Sequence, residues 1–214
     1  GFVDYTVQVT VAEPPSCFLD DSVSDFALGT NNSTFVSEGN GGQVILAPTV
    51  GENFVGSSLS ADWTAVPWSS SGTASVSGGA VAVENARIGT NADYAAGAVV
   101  EFRGTFGASQ WQHAGWVKDT DFNAPWAIFS TFNTTDQLYA RTSDGTNTLI
   151  AGNWIGTPHT YRIDRTASQA IFWIDGTQVA VHNFTTSDRM RPVISDSSVD
   201  GVGLSVDWLT VTPY

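Results

Sequence analysis

From Val3 to Val11 the chain alternates without a slip: Val3, Tyr5, Val7, Val9 and Val11 fall on one side, and Asp4, Thr6, Gln8 and Thr10 on the other. A period of two is the pattern of a strand with one buried face. Glu13-Pro14-Pro15 ends it, because proline has no N–H for a ladder and stiffens the chain. No strand pattern follows within hairpin distance. Residues 1–15 therefore read as an N-terminal strand arm on a diproline hinge, residues 16–48 as lead-in strands with a turn at Glu38–Gly42, and residues 49–214 as a β-sandwich.

Short strands then recur between clusters of Gly, Asn, Asp and Ser, and no stretch has convincing helical periodicity. TASVSGGAVAVENARIG reads as a hairpin turning at Gly78-Gly79. Further on, AVVEFRGTF, HAGWVKD, PWAIFST, LYARTSD, NTLIAG, HTYRID, QAIFWID, TQVAVHNF and LSVDWLTV each form a strand pattern, with tight turns at Asp144-Gly145 and Asp175-Gly176. So many strands exceed one flat sheet, which predicts an all-β, two-sheet antiparallel jelly-roll sandwich.

The stretch TPHTYRIDRTASQAIFWIDGTQVAVHNF resembles the late strands of concanavalin A-like jelly rolls, the superfamily of laminin-G modules and laminarinase-type hydrolases. His159, Tyr161, Ile163, Asp175 and Gly176 carry the match, and the similarity runs over roughly residues 50–214. The resemblance implies that NFVGSSLSADWTAVPW and the closing VDWLTVTPY are the paired first and last strands. It speaks to fold; this fold hosts enzymes, lectins and structural modules alike.

Charge narrows the partners. Twenty-one carboxylates face eight cations, of which Lys118 is the only lysine, for a net charge of −13. Nucleic acid and anionic membrane surfaces need clustered cations, so neither is an expected partner. No apolar run reaches the length of a membrane-spanning segment. A chain rich in Ser, Thr, Gly and Asn with few charges fits an extracellular or cell-surface location. The lone Cys17 has no internal disulfide partner and reads as a small buried hydrophobe.

The hydrolases of the resembled superfamily carry E-x-D-x-x-E or a close variant on one strand, where two carboxylates serve as nucleophile and acid. Here Glu13, Glu38, Glu52, Glu84 and Glu101 each lack a second carboxylate two residues along. Glu101 shares a face with Arg103 in VVEFRGT, which predicts an ion pair. His113, His159 and His182 stand on separate strands without metal-ligand spacing, and read as fold or core residues. No cofactor is expected. Asp119, Asp121 and Asn123 open like a calcium loop, but Ala124 replaces its glycine and Ser130 its bidentate glutamate. A different Ca²⁺ loop there, or at Asp20, Asp21 and Asp25, stays open as a lesser alternative.

The stronger chemical signal is aromatic. Of eight tryptophans, Trp111, Trp116, Trp126 and Trp154 fall in one central stretch. Sugar-binding jelly rolls stack such rings on pyranose faces, whereas a plain sandwich uses them as core. Trp111, Trp116 and Trp126 are the carbohydrate-binding candidates, Trp111 the best exposed because polar residues flank it.

The N-terminal strand decides the leading expectation. Burying its five apolar side chains is worth on the order of 1.5–3 kcal/mol each, and ordering the backbone costs roughly 1–2 kcal/mol per residue. Those terms nearly cancel, so the strand needs a waiting sheet edge. The diproline spacer favours donating Val3, Tyr5, Val7, Val9 and Val11 to an identical subunit over pairing within the same chain. Head-to-tail donation that does not close builds a filament. The leading expectation is thus a non-enzymatic, self-assembling adhesive or structural module. A carbohydrate-binding module and a divergent glycan hydrolase or lyase are the alternatives.

Overall fold

In the computed structural model, residues 22–29, 33–37 and 43–214 are described. The strand expected at residues 1–15, its donation to a second subunit, Cys17, and the turn at Glu38–Gly42 lie outside the described residues. A one-turn helix α1 (Val23–Ala27) stands within the segment that reads as lead-in strands. Ser22 caps it by accepting the Asp25 N–H, and five residues are too few to show a helical period. Strands β1 (Thr34–Ser37) and β2 (Gln43–Leu46) then pair antiparallel as a separate hairpin.

The remaining strands make the sandwich. In chain order they are β3 (Val50–Glu52), β4 (Trp63–Pro67), β5 (Thr73–Ser77), β6 (Ala80–Glu84), β7 (Ala86–Thr90) and β8 (Ala98–Thr105). Then come β9 (Gln112–Val117), β10 (Trp126–Ser130), β11 (Leu138–Thr142), β12 (Asn147–Ile150) and β13 (His159–Arg165). The last four are β14 (Gln169–Ile174), β15 (Thr177–Asn183), β16 (Arg191–Asp196) and β17 (Leu204–Pro213). One sheet has seven strands in the order β12-β11-β10-β9-β16-β7-β4. The other has eight, β15-β14-β13-β8-β17-β6-β5, with β3 paired to β17 off that path. The two-sheet jelly roll is as the sequence patterns predict.

Local turn chemistry accounts for several connections. Gly78 and Gly79 both take positive φ, at 61° and 78°, as the β5–β6 hairpin requires. Asp175 and Gly176 do the same between β14 and β15. The expected single hairpin through Gly89 is divided, however: β6 lies in the eight-stranded sheet and β7 in the other. The chain changes sheet at Asn85, whose φ is 47° and whose side-chain amide donates to Ser69 and Ser71. Asparagine is one of the few side chains at ease in that region.

First and last strands meet differently from the implied pairing. Val50–Glu52 pairs with β17, whereas the strand inside NFVGSSLSADWTAVPW is β4, which crosses to the seven-stranded sheet and pairs with β7. The expected Glu101–Arg103 pair is also replaced. Glu101 stands opposite Arg162 on β13, and Arg103 pairs with Asp207 at 3.3 Å. Residues directly across a ladder are closer than residues two apart on one strand, so cross-strand partners win.

Between the sheets lies one continuous core, in which Phe102, Phe106, Phe129, Tyr161 and Phe172 meet with ring centroids 5.1–5.3 Å apart. A second, small apolar cluster lies elsewhere: Val117, Ile128 and Val193, with Phe122 and Trp126 packed on them. It occupies the outer face of the seven-stranded sheet. Strands β9, β10 and β16 are consequently buried on both faces through most of their length.

Candidate functional site

That outer face carries a groove of about 290 Å³, lined by Trp68, His113, Phe122, Trp126, Ile128, Arg141 and Ser197. Its floor follows from strand parity. Trp126 stands opposite Val117, and Ser130 opposite His113, so all four side chains lie on one face. Ala127, Phe129 and Trp116 have the other parity and enter the core.

One wall is the loop from Lys118 to Pro125, folded back over β7 and β16. A Cβ on Gly89 would lie 3.0 Å from both Thr120 Cγ2 and Val193 Cγ2, so glycine there lets the loop approach closely. Asp119 organises the loop by accepting the backbone N–H groups of Asp121 and Asn123 and the Asn123 side-chain amide. Asp121 in turn binds the nearly buried Arg87 at 2.5 Å, and the Arg87 guanidinium lies 3.9 Å over the Trp68 ring. Trp68 donates its indole N–H to Ser195 on β16.

At the centre of the polar part is the buried hydroxyl of Ser130. It accepts the Phe132 backbone N–H at 2.8 Å and, more loosely at 3.4 Å, a guanidinium N–H of Arg141. A serine oxygen has two lone pairs and one proton. The same hydroxyl lies 2.8 Å from Nδ1 of His113, a hydrogen bond in which either atom can be the donor. Burial and the neighbouring Arg141 cation push the His113 pKa down to about 3, consistent with a group held neutral. Arg141 is oriented by the Asn147 side-chain oxygen, which accepts its Nε–H at 2.6 Å, and by the Phe132 ring 3.8 Å beneath its guanidinium.

The sequence-predicted residues divide accordingly. Trp126 lines the groove. Trp111 is 37% exposed and borders it edge-on to His113 and Phe132. Trp116 is a correction: it is fully buried, donates its indole N–H to the Ile163 carbonyl, and cannot meet a sugar. Its even spacing from Ala114 turns it inward. The carboxylate oxygens of Asp119 and Asp121 are engaged by the loop and by Arg87, and among the described residues no three His, Cys, Asp or Glu gather as a metal site. Asp25, from the second acidic set, accepts from Ser22 beside the short helix; Asp20 and Asp21 lie outside the described residues.

Trp68, Phe122, His113, Ser130, Arg141 and Ser197 escape sequence reading, since they come from six different segments. A signal for the floor does exist: PWAIF and RPVIS are apolar without alternation, as strands buried on both faces must be.

No family model matches the chain, and no curated protein matches it by sequence. Solved structures do share its fold. The endo-β-1,3-glucanase of Pyrococcus furiosus is 10% identical, with a TM-score of 0.62 over 85% of this chain and 98% of that one. The Crh5 transglycosylase is 15% identical, at 0.57 over 78% and 85%. β-Agarase A, solved in complex with oligoagarose, is 13% identical, at 0.56 over 77% and 91%. The chain thus has the concanavalin A-like jelly-roll fold.

Two expectations are corrected by these likenesses. Proteins of similar fold include a glucanase, a transglycosylase and an agarase, which is contrary to a non-enzymatic module that polymerises by strand donation, and contrary to the expectation that the chain is not an enzyme. They accord better with the glycan-directed alternatives.

Proposed function

We propose that this protein is a glycan-processing member of the jelly-roll fold, and that it takes a saccharide chain into the groove on its seven-stranded sheet. The observation that carries this reading is the groove's lining: aromatic rings of Trp68, Phe122 and Trp126 beside the donors of His113, Arg141 and Ser197. A pyranose has apolar C–H faces and a rim of hydroxyls, and rings flanked by fixed donors match both. The fold neighbours that act on glycans support the same reading. An extracellular or surface location, where polymeric glycans are met, belongs to it.

The lining also bears on the chemistry. Among the described residues it contains no Asp or Glu, whereas a retaining hydrolase places two carboxylates about 5–5.5 Å apart across the bond it cleaves. What these residues provide is binding and orientation: ring stacking, the imidazole of His113 and a charged fork from Arg141.

The test is calorimetry of the full chain against a panel of β-glucan, galactan and uronate oligosaccharides, with chromatography of each mixture after incubation. Binding abolished by Trp126→Ala, together with shortened or transferred products in the wild-type mixtures, is the expected result. Failure of every oligosaccharide to bind would overturn the reading.

A further inference from the structure

Arg141 is set apart from every other cation of this chain. Six of the eight, Arg87, Arg103, Lys118, Arg162, Arg189 and Arg191, are paired with carboxylates. Arg165 is fully buried and donates to the backbone carbonyls of Tyr94 and Asp188. Arg141 alone has no carboxylate partner among the described residues and opens into a groove. In a chain with 21 acidic residues, pairing would be the default outcome for an accessible guanidinium.

The contacts Arg141 does make hold it without neutralising it. Phe132 and Trp126 present ring faces 3.8 and 5.3 Å from its guanidinium carbon, which favours the cation while leaving its charge intact. Asn147 and Ser130 are neutral acceptors that take two of its five N–H groups. Three N–H groups remain, and none of the Arg141 nitrogens is both buried and unpartnered. The free edge therefore faces the groove. A planar fork of this kind pairs two N–H bonds with two oxygens of one anionic group. Beside it stands the His113 imidazole, hydrogen-bonded to the same Ser130 hydroxyl.

We infer that the groove selects glycans that bear isolated acidic groups, and that Arg141 is the residue that reads the acid. The inference rests on the glycan reading above and names its substrate class. Carboxylate of a uronic acid and sulfate ester share the required chemistry: two or more oxygens carrying one charge at the edge of a sugar ring. The net charge of −13 opposes the approach of a densely charged polyanion. Contact with one guanidinium inside a groove is short-ranged and little screened. Sparsely charged saccharides are thus favoured over fully charged ones.

The experiment is calorimetric titration of the full chain with two matched pairs. One is an oligosaccharide containing uronic acid and its carboxyl-reduced alcohol; the other is a sulfated oligosaccharide and its desulfated form. We expect one acidic member to bind about ten- to a hundred-fold more tightly than its neutral counterpart, the magnitude of a charge-assisted contact. Whichever pair shows the gap identifies the acid. Arg141→Met is expected to erase the gap, so that the acidic and neutral members of the pair bind alike, and Arg141→Lys to keep part of it, as a point charge without the fork. Equal affinity within both pairs would overturn the inference yet leave glycan binding standing. A gap that survives in Arg141→Met would overturn the role of Arg141. No binding by any of the four would overturn the glycan reading as well. The wild-type comparison depends on no variant folding.

Discussion

The Ser130 hydroxyl lies 2.8 Å from Nδ1 of His113 and shares a hydrogen bond with it, which ties the imidazole to the neighbouring strand. The same oxygen accepts from Phe132 and Arg141, so one buried serine contacts two groove residues. Nitrogen-detected NMR should show the neutral imidazole of His113 persisting down to pH 4.5, because burial and the Arg141 cation push its pKa down to about 3. An imidazolium signal appearing above pH 5 would contradict this arrangement. Ser130→Ala should remove the partner of Nδ1 and change the tautomer ratio read from the same spectrum.

Stability against pH should carry two opposing slopes. His113 titrates near 3 when folded and near 6.5 when unfolded, so the unfolded chain binds its proton more readily; the stability it contributes is present above pH 6.5 and lost as pH falls toward 3. Asp196 is buried at the end of β16, and burial first, then nearby Asp200 and Glu84, raises its pKa to about 6. Here the folded state binds the proton more tightly, so stability increases as pH falls from 6 to about 4. Over the shared interval from pH 6 to pH 4 each effect is on the order of 2–3 kcal/mol, and there the two nearly cancel. Urea titrations at pH 4.5, 6 and 7.5 should show His113→Gln gaining stability on acidification relative to wild type, and Asp196→Asn losing it. Parallel curves for all three proteins would refute both assignments.

Trp116 and Trp126 should respond oppositely to truncation. Trp116→Ala removes a fully buried core ring and an indole hydrogen bond, and should cost about 3–5 kcal/mol in a urea melt. Trp126→Ala removes a half-buried ring from the outer cluster, so it should cost less while abolishing glycan binding. Glycan binding that survives Trp126→Ala would show that the saccharide sits elsewhere.

At the sheet-switching residue, Asn85→Ala and Asn85→Gly both lose the amide bonds to Ser69 and Ser71, but only alanine resists the positive φ of 47°. Asn85→Gly should therefore be the more stable variant by about 1 kcal/mol. Thermal melts of the two decide it; alanine equal to glycine would mean that the hydrogen bonds, not the backbone, hold the crossing.

Calcium at millimolar concentration, or its removal with chelator, should leave the melting temperature unchanged. A specific site saturated a hundred-fold would add about 2.7 kcal/mol and a clear upward shift. The loop that suggested a calcium site uses Asp119 to bind its own N–H groups and Asp121 to bind Arg87. An upward shift would show that an ion displaces those contacts.

How far the sequence reaches can be judged strand by strand. HTYRID, QAIFWID and TQVAVHNF alternate and turn on Asp175-Gly176, and they fold as read. Strand β16 went unread because Pro192 interrupts a short apolar run. The ladder to β7 covers only Val193–Asp196, so that proline stands near the strand's end, where a missing N–H costs least. Trp116 was legible only as one of several aromatics, since its inward turn depends on which residues of β9 and β10 stand opposite each other.

By itself, then, the sequence determined what is local: period-two strands, tight turns at glycine pairs, an all-β sandwich too strand-rich for one sheet, and a net charge of −13. Only the tertiary structure decided that Asn85 moves the chain between sheets. Only it brought Trp68, His113, Phe122, Trp126 and Arg141 to one groove and, among the described residues, left Arg141 without a carboxylate. Periodicity assigns a residue to a face of its own strand. Which faces combine, and which charge stays unpaired there, is set by register between segments distant in sequence, through contacts that no local pattern encodes.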